Sequence, residues 1–417
     1  MSTPAGRLRR LLMVAYHFPP LAGSSGIQRT LRFVQHLPAL GWQPIVLTTS
    51  RNAYERTSVD LESEIPPGTV VERAWALDAS RHLSIAGRYP GWLARPDRWA
   101  SWWLDGVRRG LALVRRFEPD AIWSTFPIPT AHAIAATLQA RTGLPWIADF
   151  RDPMAQDDYP EDAVLRAAWW RLDRRIVESA RHCVLTTPGA AQQYRQRYPE
   201  FAGRIGLIEN GFDEESFAGA GPAAAEGPLQ PGCITLLHSG IVYPSERDPT
   251  QLMAALRMLH ERRVIRPGQL RIRFRAAVSE ALLAELAARH GVADYVEICP
   301  PVGYRQALAE MLRADALLVL QGSNCNAQIP AKIYEYLRAG RPVLCLADER
   351  GDTADALRRA GVDAIAALED APAIAGLLER WLAPGASGLH TLPDAQRVAA
   401  ASRRGRAAEL AALLHAI

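Results

Sequence analysis

Residues 11–40 read LLMVAYHFPPLAGSSGIQRTLRFVQHLPAL and contain the unit from which the chain is built. A short apolar run over 11–16 leads through a loop rich in Pro and Gly into a stretch, 27–40, whose apolar residues recur with a helical period. Such a run is typical of a strand that is buried on both faces of a parallel sheet. A strand followed by a helix is the repeating unit of an α/β fold.

The same unit recurs along the chain and predicts a doubly wound α/β fold. Further strands are predicted over 44–49, 69–75, 121–126, 146–150, 183–188 and 205–209, and then over 234–239, 270–276, 296–299, 316–321, 342–347 and 364–368. Helical periodicity fills most of the gaps. Parallel sheets bind ligands outside the carboxyl ends of their strands, so we expect two domains that face each other across a cleft.

Domain boundaries follow from composition. Residues 217–232 read FAGAGPAAAEGPLQPG, which lacks any period and predicts a linker. We therefore expect an N-terminal Rossmann-like domain over 1–216 and a C-terminal one over 233–392. A last helix within 393–417 is expected to pack back on the N-terminal domain.

Composition narrows the class of protein. Of 417 residues, 48% are hydrophobic and 22% are charged, which is typical of a globular protein and excludes disorder. A net charge of +4 is too small to predict nucleic-acid binding. Five cysteines without a CxxC pair indicate neither a disulfide framework nor a zinc site. The apolar run at 11–16 is too short for a signal peptide or a membrane span, so we expect a cytoplasmic protein.

A glycine-rich loop follows the first predicted strand. Gly23, Ser24, Ser25 and Gly26 precede a helix, where backbone N–H groups at the positive helix end bind anions. Their spacing is not the GxGxxG of dinucleotide-binding folds, and a tight turn without a ligand is the alternative.

Charged residues end the fifth predicted strand. The segment IADFRDP over 147–153 contains Asp149, Arg151 and Asp152. Because the carboxyl ends of parallel strands border the ligand site, these side chains are functional candidates. The alternative is a local Arg–Asp pair that fixes the turn before Pro153.

Residues 330–344 read PAKIYEYLRAGRPVL and contain the strongest site signal. Pro330 suits the first turn of a helix and Gly340 suits the position after its end. Lys332 is the single lysine among 48 Lys and Arg residues, and a cation in a first turn opposes the helix dipole unless an anion compensates. A phosphate is such an anion, and Glu335, one turn further on the same face, can accept both hydroxyls of a ribose. The alternative is an exposed Lys332–Glu335 pair.

The same run resembles the P-x-K-x-x-E-Y-x-x-x-G-x-P-V-L segment of family 4 glycosyltransferases, which are retaining enzymes with the GT-B fold. Four other segments resemble that family in the same order, namely YHFPP…GSSGIQR (16–29), ADFRDP (148–153), ENGFD (209–213) and HSGIVYPSERDP (238–249). Together they span most of the chain. The resemblance implies two Rossmann-like domains and transfer of a sugar from a nucleoside-diphosphate sugar.

The resemblance also implies roles at the donor. Lys332 and Arg247 would neutralise the diphosphate and stabilise it as it leaves, Gly240 would line the same site, and Glu335 would hold the ribose. Residues 23–26 would bring backbone amides close to the phosphate or the transferred sugar.

The segment 148–153 departs from the family pattern. Arg151 and Asp152 are catalytic candidates because they occupy the place of a His-Asp pair near the donor sugar, yet a histidine is replaced by Arg151. The first glutamate of the family's E-x7-E element is replaced by Ala327. A non-catalytic nucleotide-sugar-binding relative is therefore the alternative function, while an NAD-dependent oxidoreductase is disfavoured by the missing fingerprint. No D-x-D motif is present, so no divalent metal is expected, and arginine, lysine and helix dipoles would meet the phosphate charge.

The acceptor side has a single cue. Residues 89–103 read YPGWLARPDRWASWW and contain Trp92, Trp99, Trp102 and Trp103 among arginines. Tryptophan with arginine favours a membrane interface or stacking on sugars, and a buried core patch is the alternative. We expect a glycan, lipid-linked or small-molecule acceptor, with peripheral contact at the inner face of a membrane.

Overall fold

The chain folds into two units, each a parallel β-sheet flanked by helices. A computed structural model describes residues 8–22, 26–59, 61–383 and 392–417, apart from the side chains of 222–224. Residues up to Glu209 together with Arg403–Ile417 form the first unit, and Asn210–Ser402 form the second. The predicted doubly wound α/β class with two Rossmann-like domains is confirmed.

The described part of the first unit contains a seven-stranded sheet in the order β3-β2-β1-β4-β5-β6-β7, with all paired strands parallel. The apolar run predicted as the first strand is fully buried at Leu11, Leu12, Met13 and Val14, as a central strand covered on both faces requires. The strands are β1 Arg9–Val14, β2 Trp42–Thr49, β3 Val70–Ala74, β4 Ala121–Thr125, β5 Trp146–Arg151, β6 His182–Leu185 and β7 Ile205–Leu207.

Helices cover this sheet. They are α1 Gly26–His36, α2 Ala79–His82, α3 Trp102–Phe117, α4 Pro129–Thr142, α5 Ala163–Ser179, α6 Pro188–Arg197 and, from the C-terminus, α15 Arg403–His415. Helix α1 is shorter than the predicted 27–40 because Pro38 lies in a following 3-10 turn, Leu37–Leu40. Helix α15 packs against α1 within this unit.

The second unit contains a six-stranded parallel sheet in the order β10-β9-β8-β11-β12-β13. Its strands are β8 Ile234–Ser239, β9 Leu270–Arg275, β10 Val296–Cys299, β11 Ala316–Leu320, β12 Val343–Leu346 and β13 Ile365–Ala366. Its helices are α7 Glu214–Ala224, α8 Thr250–Glu261, α9 Glu280–Arg289, α10 Tyr304–Arg313, α11 Lys332–Ala339, α12 Asp352–Arg359, α13 Ala371–Leu382 and α14 Ala395–Ala400.

Two segments differ from their prediction. The segment 217–232 begins inside α7 instead of forming a linker throughout, because Asp213 accepts a hydrogen bond from Ser216 N at 2.9 Å and buried Phe217 anchors the helix to the core. The helix predicted over 393–415 is divided into α14 and α15, and the break at 401–402 coincides with the return of the chain to the first unit.

Candidate active site

The carboxyl end of β8 carries the glycine of the predicted nucleotide site. Gly240 directly follows β8 with φ +121°, a conformation that residues with a Cβ rarely adopt. A Cβ at this position would lie 3.0 Å from Lys332 Nζ and 3.3 Å from Lys332 Cε. Glycine is therefore what lets the lysine amino group approach the backbone after β8.

Lys332 begins α11 and reaches back to β8. Its Nζ lies 3.0 Å from Nε2 of His238, a fully buried residue of that strand. The other ring nitrogen, Nδ1, lies 2.9 Å from the Leu318 carbonyl oxygen, which can only accept. Nδ1 therefore carries the proton, and Nε2 accepts a hydrogen bond from Lys332.

Arg247 lies in the loop between β8 and α8. Its Nη1 donates to the Ile241 carbonyl at 2.9 Å, and its guanidinium lies over the Tyr243 ring with 5.1 Å to the centroid. Its Nε is buried and has no partner among the residues that the structure describes. A buried guanidinium N–H in this condition is a donor that an incoming anion would satisfy.

The two cations influence each other. Burial, followed by the charge of Arg247, lowers the pKa of Lys332 to about 7, although Glu335 acts in the opposite direction. The same residues that the sequence singled out for a phosphate thus form one electropositive group in the second unit. An anion bound beside them would restore the ordinary charge of the lysine.

Glu335 lies one turn after Lys332, half-buried, and its Oε1 accepts a hydrogen bond from the Tyr304 hydroxyl at 2.7 Å. Tyr304 comes from the first residue of α10, so two helices fix this carboxylate. The alternative of an exposed Lys332–Glu335 pair is not favoured, because Lys332 is directed to His238. Helix α11 ends as predicted at Gly340, which adopts φ +62°.

A second group of predicted residues lies in the first unit, where α1 begins. Gly26 is the first residue of α1, and Gly23, Ser24 and Ser25 lie outside the described residues. A Cβ on Gly26 would overlap the ring of His17 and the Arg151 guanidinium. The glycine thus permits close packing of α1 against residues that follow β1 and end β5.

Arg151 ends β5 in an unusual conformation. Its φ is +61°, the pairing with β6 shifts register between Asp149 and Arg151, and Thr186 donates to its carbonyl through N at 2.9 Å and Oγ1 at 2.7 Å. Burial lowers the pKa of Arg151, and its Nε is buried without a partner among the described residues. Asp152, the next residue, is exposed. Left-handed backbone at a non-glycine residue is enriched at functional sites.

Asp149 has a structural partner. Its two carboxylate oxygens accept from Arg29 Nε at 2.7 Å and Nη2 at 3.1 Å, and both residues are buried. Arg29 also donates to the carbonyls of Ile208 and Glu209 at 3.0 and 3.1 Å. The pair fixes α1 to β5 and to the residues that follow β7, so Asp149 is not available to a ligand.

The loop after Arg151 is held by a buried network. Met154 N donates to the Tyr194 hydroxyl at 3.0 Å, and the hydroxyls of Tyr194 and Tyr198 donate to the two oxygens of Asp173 at 2.7 and 2.8 Å. Burial raises the pKa of Asp173 to about 6. This network positions the backbone that carries Asp152.

Two of the four tryptophans of the cluster belong to the core. Trp102 is fully buried and Trp99 is 9% exposed, with its indole N–H donating to the Ala53 carbonyl at 3.0 Å. Trp103 donates to Thr137 Oγ1 at 3.1 Å. The prediction that Trp99 and Trp102 face a membrane is wrong, because both belong to the buried core, where their ring centroids lie 4.5 and 6.3 Å from that of Tyr16. Trp92 is 67% exposed.

Sequence reasoning missed several residues around the site: His17, Arg29, Asp173, His238 and Tyr304. His17 and His238 lie within motifs that were recognised, and a histidine at the end of a buried strand was the available signal. Tyr304 and Asp173 gave no local signal, because their partners are far away in the sequence.

Among the described residues, no group of three His, Cys, Asp or Glu side chains is arranged to hold a metal ion. None of the described helices has both the length and the apolar character needed to cross a membrane.

Comparison with known proteins defines the class. The fold is that of GT-B proteins, since sucrose-phosphate synthase from Thermosynechococcus elongatus superposes with a TM-score of 0.68 at 15% identity, covering 98% of both chains. HepE from Anabaena, in complex with UDP and glucose, gives 0.64 at 14% identity, covering 98% of this chain and 100% of that one.

Sequence comparison finds a family domain in one part of the chain and relatives over most of it. Residues 25–211 match the glycosyl transferase 4-like domain. D-inositol 3-phosphate glycosyltransferase from Streptomyces avermitilis is 27% identical over 81% of this chain and 72% of its own length. The enzyme of the same name from Streptosporangium roseum is 25% identical over 76% of this chain and 73% of its own. Residues 25–211 thus form a glycosyl transferase 4-like domain, and the chain is a nucleotide-sugar-dependent glycosyltransferase with the GT-B fold.

Proposed function

We propose that this enzyme transfers a sugar with retention of anomeric configuration, and that its second unit binds the diphosphate of the donor through Lys332, Arg247 and Gly240. The observation that carries the proposal is that Lys332 and Arg247 interact electrostatically beside the end of β8. In addition, the buried Nε of Arg247 has no hydrogen-bond partner among the described residues. Two cations in a half-buried place are unfavourable without an anion, and a diphosphate supplies one.

The chemistry follows from charge. Cleavage of the anomeric bond leaves a nucleoside diphosphate with an additional negative charge, and cations already in place stabilise that charge as it develops. Lys332 contributes only in its protonated form. The sugar becomes oxocarbenium-like. In our proposal the acceptor hydroxyl attacks from the face that the diphosphate leaves, and its proton passes to the departing phosphate oxygen. Glu335, fixed by Tyr304, accepts the ribose hydroxyls.

In the first unit, Arg151 and Asp152 are proposed to face the donor sugar. The guanidinium of Arg151 packs beside Gly26 and His17, and its unpartnered Nε offers a donor to a sugar or phosphate oxygen. A non-catalytic relative is not favoured. Hydrolysis of the donor without an acceptor distinguishes the two, because a binding protein would release no sugar.

The proposed donor is a UDP-sugar, which the complexes of Anabaena HepE with UDP and with UDP-glucose support. The experiment is a thermal-shift panel of UDP, GDP, ADP and dTDP, since a ligand stabilises the folded state by mass action. The nucleotide that stabilises most defines the donor base, and its sugar conjugates are then tested for hydrolysis. Absence of any shift across the panel would contradict the proposed function.

The proposed acceptor is a small polyol phosphate or a lipid-linked glycan. Relatives named for D-inositol 3-phosphate support the first, and an exposed surface of the first unit supports the second. Ile85 is 84% exposed and Trp92 67%, and they are accompanied by exposed Arg88 and Arg95. Apolar and basic side chains together favour an anionic membrane surface, at the inner face of a bilayer in our proposal.

Membrane contact is tested with anionic vesicles at low salt. Ile85→Ser with Trp92→Ser is expected to reduce co-sedimentation and to leave nucleotide binding unchanged. Val164→Ser, on α5 and 51% exposed, is the matched control. If the wild-type protein does not co-sediment with such vesicles, the polyol phosphate is the favoured acceptor.

A further inference from the structure

His238 is fully buried, so it acts on a ligand only through a neighbour. It is the second-to-last residue of strand β8, and its ring joins β11 to α11, because Nδ1 donates to Leu318 O and Nε2 accepts from Lys332. Burial, and then the charge of Lys332, holds the pKa of His238 well below its usual range. The ring therefore stays neutral, and its lone pair remains an acceptor at working pH.

A lysine has four rotatable bonds, and holding it in one place costs conformational entropy. The hydrogen bond to His238 offsets part of that cost, because it already fixes the amino group in one position. The absence of a Cβ on Gly240 leaves the space in which the amino group rests.

We propose that His238 is a positioning residue that holds the Lys332 amino group at the carboxyl end of β8, ready to receive the donor diphosphate. The inference rests on the proposed function and gives a role to His238, which lies within a recognised motif but had no role assigned to it. The groups around Lys332 also determine whether its amino group takes up a proton when the diphosphate binds.

Those groups come from every neighbouring element. His238 faces Lys332 from β8, Arg247 from the loop after β8, and Glu335 from the same helix, with Tyr304 of α10 bonded to Glu335. At pH 8 an amine with a pKa of about 7 is mostly neutral. Binding a diphosphate at pH 8 then transfers most of a proton per site from the buffer to Nζ. The terminal phosphate is already ionised at that pH.

The test compares two substitutions by isothermal titration with UDP. In His238→Asn the side-chain amide can still donate to Leu318 O, but the acceptor for Lys332 is lost. His238→Gln places an amide oxygen near the position of Nε2 and restores that acceptor. We expect His238→Asn to weaken UDP binding about 10-fold, the loss typical of one hydrogen bond to a charged group, and His238→Gln to recover most of it.

Proton uptake separates positioning from a general structural effect. Titrations at pH 8 in buffers of different ionisation enthalpy give the number of protons taken up. Wild type and His238→Gln are expected to take up close to one. His238→Asn is expected to take up clearly fewer, because its freed amine reaches water and is protonated beforehand. Lys332→Arg, which stays charged, is the control that takes up none.

The outcomes distinguish a failure of the proposed role of His238 from a failure of the proposed function. If UDP binds without proton uptake, or if His238→Asn keeps both wild-type affinity and wild-type uptake, the role of His238 is refuted and the proposed function stands. A loss in His238→Asn that His238→Gln fails to recover, with lowered thermal stability in both, is a structural effect and also refutes it. If no nucleoside diphosphate binds the wild type, both fail.

Discussion

Replacing Gly240 by alanine tests the proposed nucleotide site at its tightest point. Gly240 adopts φ +121°, and a new Cβ would lie 3.0 Å from Lys332 Nζ. Backbone strain of this kind costs about 1–3 kcal/mol of folding free energy. The flexible end of the lysine must also move by a few tenths of an ångström, away from its bond to His238. We expect Gly240→Ala to lower the free energy of unfolding by that amount and to weaken binding of a nucleoside diphosphate about 10-fold, or about 1.4 kcal/mol.

Gly361→Ala is the matched control. Gly361 also has a positive φ, +84°, but no heavy atom lies within 4 Å of the position of its Cβ. The control therefore introduces backbone strain in the same unit without touching Lys332. Urea unfolding measures the stability of both variants, and isothermal titration with the nucleotide chosen by the thermal-shift panel measures binding. Gly240 does not contribute to the nucleotide site in this way if Gly240→Ala binds the nucleotide as tightly as the wild type, or if Gly361→Ala weakens binding by the same factor.

Three further predictions address the ribose, the metal and a buried carboxyl. Glu335→Gln is expected to weaken a nucleoside diphosphate more than its 2′,3′-dideoxy analogue, and equal losses in titration would contradict ribose binding. Transfer is expected to continue in excess chelator, because Lys332 and Arg247 meet the phosphate charge; activity that stops and returns with magnesium or manganese would contradict this. Burial raises the pKa of Asp173 from 3.8 to about 6. The protonated carboxyl therefore adds to the free energy of unfolding below pH 4, and this stabilisation is lost as the pH rises through 6. Relative to Asp173→Asn, wild type should lose about 2.4 kcal/mol of unfolding free energy between pH 4 and 7.5, as measured in urea, and parallel pH profiles would contradict it.

The fold was readable from the sequence because its strands are buried on both faces. Runs such as 11–16 are apolar on both faces, and this pattern alone identifies them as strands of a parallel sheet that is covered on both sides. Helix α7 was not readable in the same way. Its Gly and Pro residues favour a linker, and only the Asp213 cap and the burial of Phe217 against the core turn the segment into a helix.

The candidate site was predictable where one residue violated a local rule. Lys332 opposes the dipole of α11, and Gly240 lies within a recognised motif. The partners of these residues were not predictable, because His238 is 94 residues away from Lys332 in the sequence, and Arg29 is 120 residues away from Asp149. The membrane prediction for the tryptophans was wrong for a related reason. Tryptophan beside arginine in the sequence is compatible both with a membrane surface and with a buried position such as that of Trp102.

The structure gives a reason for the single lysine of an arginine-rich chain. The amino group of Lys332 occupies a space bounded by His238 Nε2 at 3.0 Å and by the place where Gly240 has no side chain. A planar guanidinium is wider than an ammonium group and carries its donors in a fixed fork, so it would need more room than the lysine amino group takes up between His238 and Gly240. A lysine can also lose its proton beside Arg247 and regain it when an anion arrives, which an arginine cannot do. Size and ionisation therefore both favour lysine at position 332.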